Sequence, residues 1–149
     1  MKKKNLYLIA SVSIALTCFS LLLTGSRLLT IPLDSNDTIP LGSFITWAGM
    51  MSLPLSLYFA SDKLRMPTMA IHRFLSVVLK LLVGLGVLWL PLSYALSGNM
   101  AFNFTESPTF QGGQLAMKCF WTLTYSIVIG VSTVALIHVI STFIIKSRA

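Results

Sequence analysis

Four long apolar segments, separated by shorter polar ones, divide the chain. They cover residues 6–24, 41–60, 74–95 and 119–145. A helix needs about 20 mainly apolar residues to cross a bilayer, and only helices and closed barrels satisfy their backbone hydrogen bonds there. These segments are too long to be strands of a barrel. The pattern therefore predicts an all-α integral membrane protein with four transmembrane helices.

The composition supports lipid as the main solvent of this protein. Hydrophobic residues make up 55% of the 149 residues and charged residues only 10%, against about 25% charged in an ordinary soluble domain. The net charge of +7 does not indicate a nucleic-acid partner, because the basic residues lie beside apolar segments and not in one run interleaved with aromatics. The length fits a single transmembrane domain over residues 1–149.

The first apolar segment also resembles a secretory signal peptide, because three lysines precede it. However, the segment is longer than the usual apolar core of such a peptide, and no clear cleavage site follows. The stretch 15–18 is a poor lipoprotein cleavage box, since Thr17 precedes Cys18. We interpret the segment as an uncleaved span.

Basic residues accumulate on one side of the predicted spans. With the N-terminus inside, the cytosolic side holds Lys2, Lys3, Lys4, Lys63, Arg65, Arg73, Lys146 and Arg148. The outer loops then hold Arg27 and Lys118, together with Asp34, Asp37 and Glu106. Because lysine and arginine concentrate in cytoplasmic loops, we expect both termini in the cytoplasm. The compact chain and its short loops favour a bacterial inner membrane as its location.

The connections between the spans are too short to hold a soluble domain. Residues 25–40 and 96–118 form the predicted outer loops, and residues 61–73 the cytosolic one. The chain is therefore expected to form two helical hairpins in tandem. In the second outer loop, Phe102, Phe104 and Phe110 surround Pro108, which predicts that this loop folds back onto the helix ends.

Small residues recur at helical spacing within the spans. They are Ala48, Ser52, Ser56 and Ala60 in the second span, Gly84 and Gly86 in the third, and Ser126 and Gly130 in the fourth. In membranes such residues let helices approach closely, since lipid gives helices no hydrophobic reason to associate. Two interpretations stay open: packing within the chain, or docking against another membrane protein.

Lys80 and His138 are the ionisable residues well inside the predicted spans, which makes them functional candidates. Lys80 lies roughly 9 Å along the helix from Phe74, so its side chain can reach back toward the interface. His138 lies about 12 Å before Lys146, at a comparable expected depth. We expect a neutral imidazole there, because two neighbouring cations would repel each other.

A haem-binding electron-transfer subunit is one alternative, with His72 and His138 as axial ligands. The helix rise places His72 about 6–10 Å nearer the surface than His138. That mismatch argues against the pairing, and we predict no cofactor.

The sequence offers little material for catalysis or metal binding. No predicted span contains an aspartate or glutamate, and no zinc-protease, Cys-x-x-Cys or phosphate-loop motif occurs. Cys18 and Cys119 are interpreted as small core residues and not as a disulfide. We therefore expect a protein that is not an enzyme.

The leading hypothesis is a small inner-membrane protein that acts by packing its helices against those of a membrane partner. It would serve as an accessory or regulatory subunit or as an immunity-type protective binder, and a homo-oligomer also fits. The second hypothesis is a small oligomeric transport or permeation unit that uses Lys80 and His138.

Overall fold

The computed structural model describes residues 3–104 and 110–147, without the side chains of Asn103 and Lys146. These residues form α1 (Lys3–Thr24), α2 (Leu41–Ala60), α3 (Asp62–Arg65), α4 (Ala70–Ser97) and α5 (Gln114–Ser147). Some residues used in the sequence predictions lie outside the described residues, namely Lys2, Glu106, Pro108 and Arg148.

Four of these helices, α1, α2, α4 and α5, are long and apolar enough to span a membrane. This confirms the predicted all-helical architecture with four helices that suit a membrane, as in a multi-pass membrane protein. The bounds of α2 agree with the prediction, whereas α1, α4 and α5 extend beyond their apolar segments. Hydropathy marks only the part of a helix that suits hydrocarbon, so polar end turns are missed.

Local sequence accounts for several helix ends. Gly25 after α1 and Gly98 after α4 have positive φ angles of 58° and 73°. Glycine adopts this left-handed conformation without a Cβ penalty and commonly follows a helix. The Gly98 N–H donates to the Tyr94 carbonyl at 2.8 Å. At the start of α2, Pro40 is the N-cap residue.

The long helices pack in the spatial order α1, α2, α4, α5. α1 packs against α2, α4 packs against α5, and α2 joins the two pairs mainly through α4. α1 makes almost no contact with α4 or α5. It therefore lies at the edge of the assembly, with most of its surface exposed.

Pro54 and Pro91, the two prolines within the spans, each leave one backbone carbonyl without its helical hydrogen bond. Both carbonyls lie at the interface of α2 and α4. A proline lacks the N–H that would bond to the carbonyl four residues earlier. The affected carbonyls are those of Met50 and Val87. The Val87 carbonyl accepts a hydrogen bond from Trp47 Nε1 at 3.0 Å. The Met50 carbonyl faces Gly86, where an added Cβ would lie 3.1 Å from the oxygen.

Two apolar clusters hold α2, α4 and α5 together. One, nearer the α4–α5 connection, centres on Met50, Trp89, Met100, Phe120 and Ile127. The other, nearer α3, consists of Leu64, Leu75, Leu79, Leu82 and Val134. Trp89 is 2% exposed and donates to Thr124 Oγ1 at 2.9 Å. Trp89 is therefore a core residue between α4 and α5.

The two long connections contact each other at one end of the helices. The Met100 N–H donates to the Thr38 carbonyl at 2.7 Å. The Phe102 ring lies 5.3 Å from the Phe120 ring, centroid to centroid, and 5.1 Å from that of Phe110. The prediction that the second loop folds back onto the helix ends is confirmed for these residues.

Asp34 organises the first of these connections. Its carboxylate accepts hydrogen bonds from the Thr38 hydroxyl at 2.7 Å and from the Ile39 N–H at 2.9 Å. These bonds, the one from Thr38 foremost, lower the pKa of Asp34 below its ordinary value. The loop is thus closed on a charged carboxylate although Asp34 lies near the surface.

The opposite end of the helices, which we call the basic end, carries Lys3, Lys4, Lys63, Arg65 and Arg73. There, Asp62 in α3 pairs with Lys4 Nζ at 2.8 Å and with Arg65 Nη2 at 2.9 Å. The first pair ties the start of α1 to the connection between α2 and α4. Leu64 of α3 is fully buried, which anchors this short helix.

Candidate functional site

Two histidines meet between α4 and α5 near the basic end. The ring centroids of His72 and His138 are 5.3 Å apart, with the ring planes at 68°. His72 is 2% exposed, and its Nε2 lies 3.5 Å from Ser141 Oγ. The Ser141 hydroxyl also donates to the His138 carbonyl at 3.0 Å. The pair forms a polar contact within the interface of α4 and α5.

Three buried polar atoms on the same helix turns have no hydrogen-bond partner among the described residues. They are Ser76 Oγ, His138 Nδ1 and Thr142 Oγ1. Ser76 follows His72 by four residues and Thr142 follows His138 by four, so each lies on the helix face of its histidine. Buried polar groups usually have a partner, and water often provides it. The region around the two histidines therefore contains three polar atoms that can still form hydrogen bonds, for example with water.

The predicted difference in depth between His72 and His138 is wrong, since their rings are in contact. The prediction measured depth from the ends of the apolar segments. α4 starts at Ala70 and α5 continues to Ser147, so those ends do not mark equal levels. The contact is nevertheless a direct one between rings, whereas axial haem ligands bind the iron from opposite sides of the porphyrin.

Lys80 lies apart from the histidine pair. It is exposed on α4, eight residues beyond His72 and therefore about 12 Å further along the helix. The expectation that Lys80 and His138 share a level is wrong, because His138 contacts His72 instead. A lysine at the centre of a membrane helix costs about 3 kcal/mol on insertion scales, so an exposed Lys80 needs a polar environment for its amine.

The predicted small residues fall into two groups. Gly86 lies against the backbone of α2, and Gly130 against the Leu82 side chain of α4. Ser52 is buried and donates to the Gly49 carbonyl at 2.8 Å. These positions take part in packing within the chain.

The remaining small residues are more accessible. Ala48 and Ser56 are half-buried, and Ala48 lines a shallow crevice between α1 and α2. Ala60, Gly84 and Ser126 are exposed. A Cβ added at Gly84 would meet nothing within 4 Å. Helical spacing in the sequence alone did not separate these positions from the buried ones.

A second set of small polar residues, on α1, was missed by the sequence analysis. Ser13, Thr17, Ser20 and Thr24 are all exposed. Their spacing of four, three and four residues places them on one helix face, away from Ser11, which is buried. The Ser-x-x-x-Thr spacing was visible in the sequence, but only the structure shows that this face is exposed, with Ser13 and Thr17 at the edge of the crevice that α1 forms with α2. We call it the α1 stripe.

An apolar crevice of about 260 Å³ lies beside α1, where α2 approaches Val128 of α5. Cys18 and Gly49 line it and contact each other so closely that a Cβ at Gly49 would overlap Cys18 Sγ. Cys18 is thus a core residue, as predicted. Cys119 is exposed, so the same prediction is wrong for it, and both thiols are free.

No protein-family model matches the chain. Comparison with curated proteins and with solved structures also finds no match.

Proposed function

We propose that this chain is a small, non-enzymatic protein of a bacterial inner membrane that acts by packing against the helices of a membrane partner. The partner is another integral membrane protein, or a second copy of the chain in a homo-oligomer. In this role the chain is an accessory or regulatory subunit, or an immunity-type protective binder.

The proposal includes the finer topology. The chain forms two helical hairpins in tandem, with both termini in the cytoplasm and the basic end on the cytoplasmic side. The excess of lysine and arginine at that end supports this orientation. The packing of α1 on α2 and of α4 on α5 is consistent with the hairpins.

The α1 stripe carries the proposal. Helix interfaces in membranes are enriched in small and hydroxyl residues, which permit close approach and hydrogen bonds between helices. Here four such residues, Ser13, Thr17, Ser20 and Thr24, lie on an exposed face of α1, which packs against the other long helices almost only through α2. A face of this kind suits a partner helix better than lipid tails.

Position-specific photocrosslinking in native membranes tests this proposal. A photoreactive amino acid at Thr17 is expected to give one discrete adduct of higher mass. The matched control is Ser132, an exposed hydroxyl residue on α5, which is expected to give no such adduct. Equal labelling from both positions, or adducts with lipid alone, would contradict the proposal.

Coexpression of two differently tagged copies identifies the kind of partner. An adduct that contains both tags shows self-association through α1. An adduct that contains one tag and a foreign protein shows a hetero-partner. In either case, Thr17→Leu and Ser20→Leu are expected to weaken the association, because a larger side chain prevents close helix approach.

A further inference from the structure

One exposed stripe of α4 combines two basic residues with two valines and a glycine. Arg73, Val77, Lys80, Gly84 and Val87 are all exposed. Their alternating spacing of four and three residues aligns them along a single helix face. Arg73 lies at the basic end, and Lys80 lies about 10 Å deeper along the helix.

Neither basic residue of this stripe forms an ion pair with any described residue. The acidic residue described at this end is Asp62, and it pairs with Lys4 and Arg65. Asp34 and Asp37 lie in the loop at the other end of the helices. The stripe therefore presents positive charge toward the surroundings without a counter-ion among residues 3–104 and 110–147.

The long, flexible side chain of Lys80 can carry its amine toward the level of Arg73. Helical side chains tilt toward the helix N-terminus, which for α4 is the basic end. Lys80 therefore reaches back toward Arg73, and its flexible stem can lie along the helix surface. In a bilayer spanned by α4, two basic groups near this end of the helix suit the phosphodiester of a lipid in the adjacent leaflet.

The deeper part of the stripe has room for a hydrocarbon chain. A Cβ added at Gly84 would meet nothing within 4 Å, and Val77 and Val87 on either side are about half exposed. We infer that Arg73 and Lys80 bind the phosphate of an anionic phospholipid whose acyl chain lies over Gly84. This site is independent of the α1 stripe and of the proposed protein partner.

Native mass spectrometry of the full-length protein tests the site, with phosphatidylglycerol and phosphatidylcholine offered at equal concentration. We expect the protein to retain phosphatidylglycerol preferentially. Lys80→Gln or Arg73→Gln is expected to weaken that binding about fivefold, as for the loss of one basic residue near an anionic surface. Lys118→Gln, which removes an exposed charge at the other end, is the matched control and should change little.

Gly84→Leu tests the place of the acyl chain without a change in charge. It is expected to reduce retention of phosphatidylglycerol, while Gly84→Ala has a smaller effect. Circular dichroism checks that both variants fold. Equal retention of the two lipids, equal effects of Lys80→Gln and Lys118→Gln, or displacement of the lipid by millimolar inorganic phosphate would overturn the inference.

Discussion

The indole Nε1 of Trp47 in α2 donates a hydrogen bond to the Val87 carbonyl of α4 at 3.0 Å. Pro91, four residues later, has no N–H to offer this carbonyl. Trp47 also donates to the Gly86 carbonyl at 3.0 Å. Pro91 thus leaves the Val87 carbonyl free to accept, and Trp47 uses it for a hydrogen bond between α2 and α4.

Replacement of Trp47 by phenylalanine is expected to destabilise the protein by about 1 kcal/mol, within the range of hydrogen bonds between membrane helices. The cost should be smaller in a Pro91→Ala background, because the alanine supplies the missing N–H to the Val87 carbonyl. Reversible unfolding in mixed detergent micelles measures both, as a double-mutant cycle. An equal cost of Trp47→Phe in the two backgrounds would contradict the role assigned to Pro91.

Two glycines of α4 provide a matched comparison. Gly86→Ala is expected to destabilise the protein by about 1–3 kcal/mol, because the added Cβ would lie 3.1 Å from the Met50 carbonyl oxygen and 3.3 Å from Met51 Cα. Both are backbone atoms that cannot move alone. Gly84→Ala should be neutral or slightly stabilising, since that position is open. The same unfolding assay compares them, and equal effects would show that α2 and α4 do not approach closely at Gly86.

His138→Leu is expected to change stability by less than about 1 kcal/mol in either direction. The Nδ1 of His138 has no partner among the described residues, and replacement of an unsatisfied polar group by an apolar one is often neutral or stabilising. Leu79→Ala, on the fully buried face of α4, should cost about 2 kcal/mol or more. If His138→Leu proved the more destabilising of the two, His138 would have a bound partner such as a buried water.

Acid is expected to open the loop that Asp34 closes. Because hydrogen bonds from Thr38 and Ile39 lower the pKa of Asp34, its contribution to loop stability is present above the unfolded value of about 3.9 and is lost as pH falls through the lower folded value. In Thr38→Val the pKa of Asp34 should rise toward its ordinary value. Nuclear magnetic resonance titration of the carboxyl measures this. An unchanged titration in the variant would show that the Thr38 hydroxyl does not hold the carboxylate.

Much of the secondary structure was readable from the sequence. Apolar length predicted four long helices, and the helix ends at Gly25 and Gly98 follow from the need for a left-handed residue. These features depend on neighbouring residues only, so a single sequence contains the information. Pro54 and Pro91 identify in the sequence the carbonyls that lose their helical hydrogen bond, but only the structure shows what those carbonyls meet.

The arrangement of the candidate site could not be predicted from the sequence, because it depends on which helix faces meet. The sequence named His138, but it placed His72 at another level and Lys80 close by, and both predictions were wrong. Long helices tilt and extend beyond their apolar segments, which shifts the depth of a residue in the membrane by more than one helical turn. Hydropathy does not report this shift. The α1 stripe was likewise visible as spacing but not as a surface.

Sequence by itself determined that the chain has four segments that suit lipid better than water, because they are long, apolar and poor in charge. Only the tertiary structure decided how polar groups are distributed between helix interfaces and exposed faces. It pairs His72 with His138 and Trp47 with Val87, and it leaves the α1 stripe and the Arg73–Lys80 stripe exposed. The physical reason is that lipid tails accept any apolar face equally, so close packing and hydrogen bonds select which faces join.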